Sequence, residues 1–159
     1  MLYLVTILTI ILDGYITYIY PSYFNNITYL YPMLTLSLIV SISSNKDTYL
    51  KYSLIIGFIY DLLYSTIFLY NTLIFLMLAK INKKILSSIR ESFIIRIILL
   101  ILNIIIYDSI SFLIVYLTKY NDVTFLSLLY KISHSLILNI LSLFVTSFIL
   151  KKYRINHKL

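Results

Sequence analysis

The chain has 159 residues, of which 61% are hydrophobic and 12% charged, with a mean hydropathy of +0.96 and a formal charge of +7. An ordinary soluble domain is about half apolar and about a quarter charged, so a water-soluble fold of this length is excluded by the apolar surface it would have to hide. The lack of cysteine removes disulfides, thiolate nucleophiles and thiolate metal sites. The surplus of bases does not point to nucleic acid, because they sit between apolar runs and at the C-terminus, with no basic soluble module among them. Anionic lipids are the partner such a distribution predicts.

A helix needs about 20 apolar residues to cross a hydrocarbon core about 30 Å thick, at about 1.5 Å per residue. Several runs meet that length. Strands of a membrane barrel alternate apolar and polar residues, which Ile94 to Ile106 does not do, so the expectation is an all-α, polytopic membrane protein forming a single domain over residues 1–159.

The first span is predicted from about Leu2 to Tyr20 and ends at Pro21. It has no basic leader and no small-residue cleavage site, and it carries Asp13 inside its apolar run, so it reads as a retained span rather than a signal peptide. A short uncharged loop, Ser22 to Thr28, leads to a second span over about Tyr29 to Ser44, with Pro32 in its first turn, where a missing backbone donor does little harm. The polar stretch Asn45 to Lys51 closes it.

From Tyr52 to Ala79 runs an apolar segment of 28 residues, long for one upright span and short for two. After it come a basic loop from Lys80 to Glu91, a span over about Phe93 to Leu117, and a small loop from Thr118 to Asp122. A last apolar run, Val123 to Leu150, enters the basic tail KKYRINHKL. Lys and Arg are retained in short cytoplasmic loops. A hairpin of two short helices turning near Ser65 to Asn71 puts eleven of the 13 bases on one side and leaves Lys119 and Lys131 opposite; a single crossing would erase that bias. The expected topology is therefore six membrane segments, the third and fourth a short helical hairpin, with both termini cytoplasmic.

Three carboxylates, Asp13, Asp61 and Asp108, lie near the middle of apolar runs. An ionisable group at that depth costs at least about 2.5 kcal/mol on insertion scales, so each is expected to face protein or water. Three roles are open: hydrogen-bonded glue between helices, contact with a partner or ligand, and proton or ion transfer.

Spacing favours burial against protein. Thr6, Thr9, Asp13, Thr17 and Tyr20 follow steps of three and four, as do Ser53, Gly57, Asp61 and Ser65, and again Ser127, Lys131, Ser135, Asn139, Ser142 and Thr146. Three polar stripes imply three helices facing one another. Gly57 puts bare backbone one turn below Asp61, letting another helix approach and bring a hydrogen-bond partner to the acid. Gly57→Leu is therefore expected to be disruptive and Ile56→Leu, on the adjoining face, nearly silent. Lys131 and His134, near the outer end of the last run, are expected to snorkel towards the headgroups. With no metal-ligand grouping around either histidine and no glycine-rich phosphate loop, no enzymatic activity, metal or cofactor is expected.

The segment IIGFIYDLLYSTIFLYNTLIF, Ile55 to Phe75, resembles the signature region of the rod shape-determining protein MreD family. There a Gly-Phe pair is followed after two residues by an acid and by a hydrophobic stretch into the next helix; here these are Gly57, Phe58 and Asp61. Asp13 and Pro32 fall where that family often has an acid in the first span and a proline in the second. The final span, with Asn139 ahead of the basic tail, is similar to the family's last helix. This sequence departs from the pattern at Tyr60, where a second glycine usually precedes the acid, and near Tyr70, where a glycine often follows the turn.

The resemblance implies a non-enzymatic scaffold subunit of the bacterial cell-elongation machinery in the plasma membrane. Its implied partners are a bitopic MreC-like protein, the RodA and class B penicillin-binding protein pair that makes peptidoglycan and, indirectly, MreB filaments. Asp13, Gly57, Phe58, Asp61, Asp108 and Asn139 are the candidate helix-packing or partner-contact residues. The family also resembles the substrate-binding subunits of energy-coupling-factor vitamin transporters, which makes a small-molecule-binding transporter subunit the alternative.

Overall fold

The stretch from Tyr52 to Ala79 holds no proline and one glycine, yet it does not run as one helix. In the computed structural model it breaks at residues 65–69, between α1 (Lys46–Tyr64) and α2 (Tyr70–Ser88). Two longer helices follow, α3 (Phe93–Thr118) and α4 (Phe125–Asn156). The structure describes residues 7, 10, 11, 14, 46–65, 67–90, 92–119 and 124–156; among these there is helix and turn but no strand.

Local chemistry makes the break. The Ser65 hydroxyl donates to the Ile67 carbonyl at 2.8 Å and accepts the Ile67 N–H at 3.1 Å, a side-chain turn that competes with continued helix. Leu69 then adopts a left-handed conformation with φ 60°, which costs a non-glycine residue roughly 1–2 kcal/mol and reverses the chain. At the other junctions, Ser92 caps α3 by accepting the Ile95 N–H, and Lys119, also left-handed, ends it.

The helices extend further into polar sequence than the hydropathy boundaries imply. Lys46 to Lys51 belongs to α1, and Lys80 to Ser88, expected as loop, continues α2. These segments contain no glycine or proline, and lysine, leucine and isoleucine propagate a helix once it has begun. The chain turns extended only at Ile89, with φ −127° and ψ 134°.

α1 and α2 form an antiparallel hairpin, and α3 pairs with α4. Near the hairpin tip the core gathers Tyr52, Ile56, Tyr60, Phe75 and Tyr107, with Phe75 edge-on to Tyr60 at 6.0 Å and stacked on Tyr107 at 5.9 Å. Ile10 is buried in the same cluster, while Ile7 and Ile11 are exposed. Towards the basic end a second cluster joins Tyr49, Ala79, Leu99, Leu100, Ile104 and Leu143. The Phe93–Phe144 ring contact at 5.2 Å and an Asp108–Lys131 contact at 3.2 Å fix the antiparallel register of α3 and α4.

Among the described residues, two helices are long and apolar enough to cross a membrane: all of α3, and residues Phe125–Val145 of α4. In its most apolar window α3 is only 33% buried, and it leaves Ile94, Ile98, Leu113 and Leu117 uncovered.

Candidate functional site: a buried polar network across four helices

The start of α2 lacks a local cap. Leu69 occupies the N-cap position and has no side-chain acceptor, so the N–H groups of the first turn must find one elsewhere. Asp61 supplies it from one turn before the end of α1. Its Oδ1 accepts the Asn71 backbone N–H at 2.8 Å and the Asn71 side-chain amide at 3.0 Å. Its Oδ2 accepts the Thr72 backbone N–H at 2.9 Å and the Thr72 hydroxyl at 2.6 Å. Counting from Leu69, Asn71 and Thr72 hold the second and third helical positions, whose donors an N-cap side chain ordinarily satisfies. A buried carboxylate thus caps the neighbouring helix across the turn, where the positive end of the helix dipole favours it.

Gly57 sets the distance at which this happens. A Cβ built there would lie 2.6 Å from the Thr72 Cα, 3.0 Å from its nitrogen and 3.1 Å from the Asn71 carbonyl oxygen. All three atoms are backbone, so the neighbour cannot yield by rotating a side chain. The glycine and the acid therefore act together: one lets the two backbones touch, and the other binds the helix end so approached.

The network continues into α3 and α4. The Tyr107 hydroxyl donates to Asn71 Oδ1 at 2.7 Å, leaving the amide used on both sides. The Lys131 ammonium stands 6.0 Å from the Tyr107 ring centroid and 3.2 Å from Asp108 Oδ1. Asp108 is fully buried and Lys131 is 12% exposed, so this is an interior ion pair. The contact is electrostatic, since neither oxygen of Asp108 receives a well-directed hydrogen bond. A parallel tie runs from the Tyr70 hydroxyl to Ser111 Oγ at 2.7 Å, and Ser111 in turn donates to the Tyr107 carbonyl. Asp61 and Asp108 thereby belong to one chain of contacts through Asn71, Tyr107 and Lys131 that touches each of α1 to α4.

Five of the six sequence candidates lie among the described residues. Gly57 and Asp61 come together at the hairpin, and Asp108 joins them through Tyr107. Phe58 does not; it is 41% exposed on the outer side of α1. Asn139 is fully buried and donates to the Ser135 carbonyl at 2.9 Å, outside the network, with its own Oδ1 unbonded. Asp13 and the rest of the first polar stripe lie outside the described residues. Of the other two, Ser53, Gly57 and Asp61 of α1 and Ser127, Ser135 and Asn139 of α4 are buried, and each stripe meets a different neighbour. The α1 stripe meets the start of α2, and the α4 stripe meets Asp108 of α3 through Lys131.

Two expectations are overturned. Lys131 does not snorkel, because a buried carboxylate lies within reach and an ion pair replaces the headgroup. Ile56 is 1% exposed and part of the core, so it is not on a neutral face; Ile55, 58% exposed, is. The side chain of His134 lies outside what is described. Asn71, Thr72, Tyr107 and Ser111 were not legible as partners, although an Asn-Thr pair opening an otherwise apolar arm is the local sign of a helix start awaiting an acceptor.

The site has every oxygen of Asp61 engaged and, among the described residues, no grouping of histidine and acids able to hold a metal. Such an arrangement joins helices. Among the described residues the fold is helical, and two of the helices are long and apolar enough to cross a membrane. No family model, curated protein or solved structure matches the chain.

Proposed function

We propose that this chain is a multi-pass plasma-membrane protein of six segments, with both termini cytoplasmic, and a non-enzymatic scaffold subunit of the bacterial cell-elongation complex of the MreD kind. The observation that carries the reading is the division of labour within the signature: Gly57 and Asp61 lock the hairpin internally while Phe58, between them, is left on an uncovered apolar face. A scaffold needs that combination, a rigid interior and an outward surface for lateral helix contacts. The apolar flanks of α3 and α4 favour lipid around them, since large contiguous apolar surfaces are not left to water. The partners proposed are an MreC-like bitopic protein, the RodA and class B penicillin-binding protein pair and, through them, MreB filaments.

Co-purification from membranes in mild detergent, with mass spectrometry of bound proteins, tests the reading. The MreC-like protein and a penicillin-binding protein are expected with the unmodified chain. Phe58→Ser should lower their yield about tenfold or more without lowering thermal stability, because it removes a partner contact and no internal one. Recovery of paired ATPases would replace the scaffold with the transporter alternative.

A further inference from the structure

Near the middle of α3 and α4 lie polar side chains that the network above does not use. Asn103 is fully buried, and neither the oxygen nor the nitrogen of its amide has a hydrogen-bond partner among the described residues. The same holds for Ser135 Oγ and Asn139 Oδ1, on side chains that are also fully buried. Ser53, Ser87, Ser111 and Ser127 each turn the hydroxyl back to a carbonyl three or four residues earlier, which is how a helix ordinarily satisfies a serine. Ser135 departs from that pattern. Asn139 spends its amide nitrogen on the Ser135 carbonyl at 2.9 Å and keeps its oxygen over. Because Phe93 meets Phe144 and Asp108 meets Lys131, the antiparallel register brings Asn103 level with Ser135, and Asn139 follows one turn further along α4. The three side chains therefore lie at one level of the α3–α4 pair.

We infer that water is bound at this level between α3 and α4, bridging Asn103, Ser135 and Asn139. The chemistry of the groups selects the occupant. The Asn103 nitrogen and the Ser135 hydroxyl donate, while the Asn103 oxygen, the Asn139 oxygen and the same hydroxyl accept. A cation would leave the Asn103 nitrogen unserved, and an anion would leave both amide oxygens so. Water donates and accepts, and a buried water typically makes about three hydrogen bonds to groups that lack another partner. The apolar side chains around this level, Leu99, Leu100, Ile104 and Leu143, offer no hydrogen bond from a side chain. Asn103 stands one turn from Tyr107 on α3, so the water carries the polar line that begins at Asp61 further along the helix pair. Asp108 lies about 7.5 Å along the axis from Asn103, and its oxygens, which receive no well-directed hydrogen bond, are acceptors at the near end of that line.

The test uses the full chain in detergent and brief X-ray radiolysis followed by mass spectrometry. A hydroxyl radical formed from a bound water attacks the side chain beside it, so a buried residue next to water is oxygenated and a buried residue in a dry core is not. Leu100 and Ile104, which flank Asn103, should be labelled, while Leu78 and Ile56, equally buried in the hairpin core, should not. Labelling of Leu100 and Ile104 no faster than of Leu78 and Ile56 would overturn the site. In Asn103→Leu/Asn139→Leu the label at Leu100 and Ile104 should fall to the level of Leu78, and undiminished labelling in that variant would place the water elsewhere. A single small change keeps the test open if the double variant does not fold. Ser135→Ala should lower the folding equilibrium constant about tenfold, as removal of a group that is hydrogen-bonded in the interior does. Ser133→Ala, on an exposed serine whose hydroxyl is already held by the Tyr130 carbonyl, should change nothing. A Ser135→Ala protein as stable as the unmodified chain, or more so, would show that the hydroxyl has no bridging partner and would overturn the proposal. Native mass spectrometry covers the remaining case, since a retained molecule heavier than water that is lost from the double variant would contradict water as the occupant.

Discussion

Asp61 receives four hydrogen bonds, and substitution separates their parts. In Asp61→Asn the remaining oxygen keeps both bonds from Asn71, but the new amide points at the Thr72 N–H, a donor facing a donor. One unsatisfied buried group costs about 1–3 kcal/mol. In Asp61→Leu all four donors lose their acceptor, so the loss should be at least twice as large. Thermal stability in detergent orders the three proteins, and equal loss in both variants would remove hydrogen bonding from the explanation. Gly57 offers a sharper contrast. Gly57→Ala already brings a Cβ to 2.6 Å from the Thr72 backbone, and should cost about 1–3 kcal/mol as the helices are forced apart. Ile55→Leu, on the exposed side of the same helix, should be silent in the same melting experiment. The pairing of glycine and acid was legible in the four-residue spacing. Their partners were not, because Asn71 and Thr72 approach only after the chain reverses at Leu69, a left-handed residue that no propensity marks.

Among the elements, the break of the long apolar segment into two helices was readable from the distribution of bases, and its position near Ser65 from polar residues at the turn. The helix ends were read short, since hydropathy stops at Lys80 while backbone hydrogen bonding continues through Ser88. Pairing of α3 with α4 was hidden for a related reason: Lys131 taken alone belongs at a headgroup, and only the antiparallel register brings it to Asp108. That pair makes a cycle measurable. Asp108→Leu and Lys131→Leu should each destabilise by about 3–5 kcal/mol, because each leaves the opposite charge buried alone. The double variant should recover most of that loss, as two apolar side chains of suitable volume replace the pair. Chemical denaturation of all four proteins reads the coupling; simple addition of the two losses would show that the charges do not depend on each other.

Across the whole molecule, the polar network and the apolar outer faces are two sides of one arrangement. Helices α1 to α4 are tied through Asp61, Asn71, Tyr107, Lys131 and Asp108, so their outward surfaces need contribute nothing to holding the fold and are available to lipid or to a partner. The hairpin tip shows the same economy: Asn71 is 1% exposed because Asp61 and Tyr107 occupy it, while Phe68 is 75% exposed. That difference selects the position from which the topology is read. The chain contains no cysteine, so a single Phe68→Cys carries the only thiol, and a reporter fused after Leu159 marks the other side. A membrane-impermeant thiol reagent applied to intact cells should label Cys at position 68 while the reporter remains active in the cytoplasm; labelling of that thiol only from the cytoplasmic side, or at neither face, would contradict a hairpin that crosses the membrane.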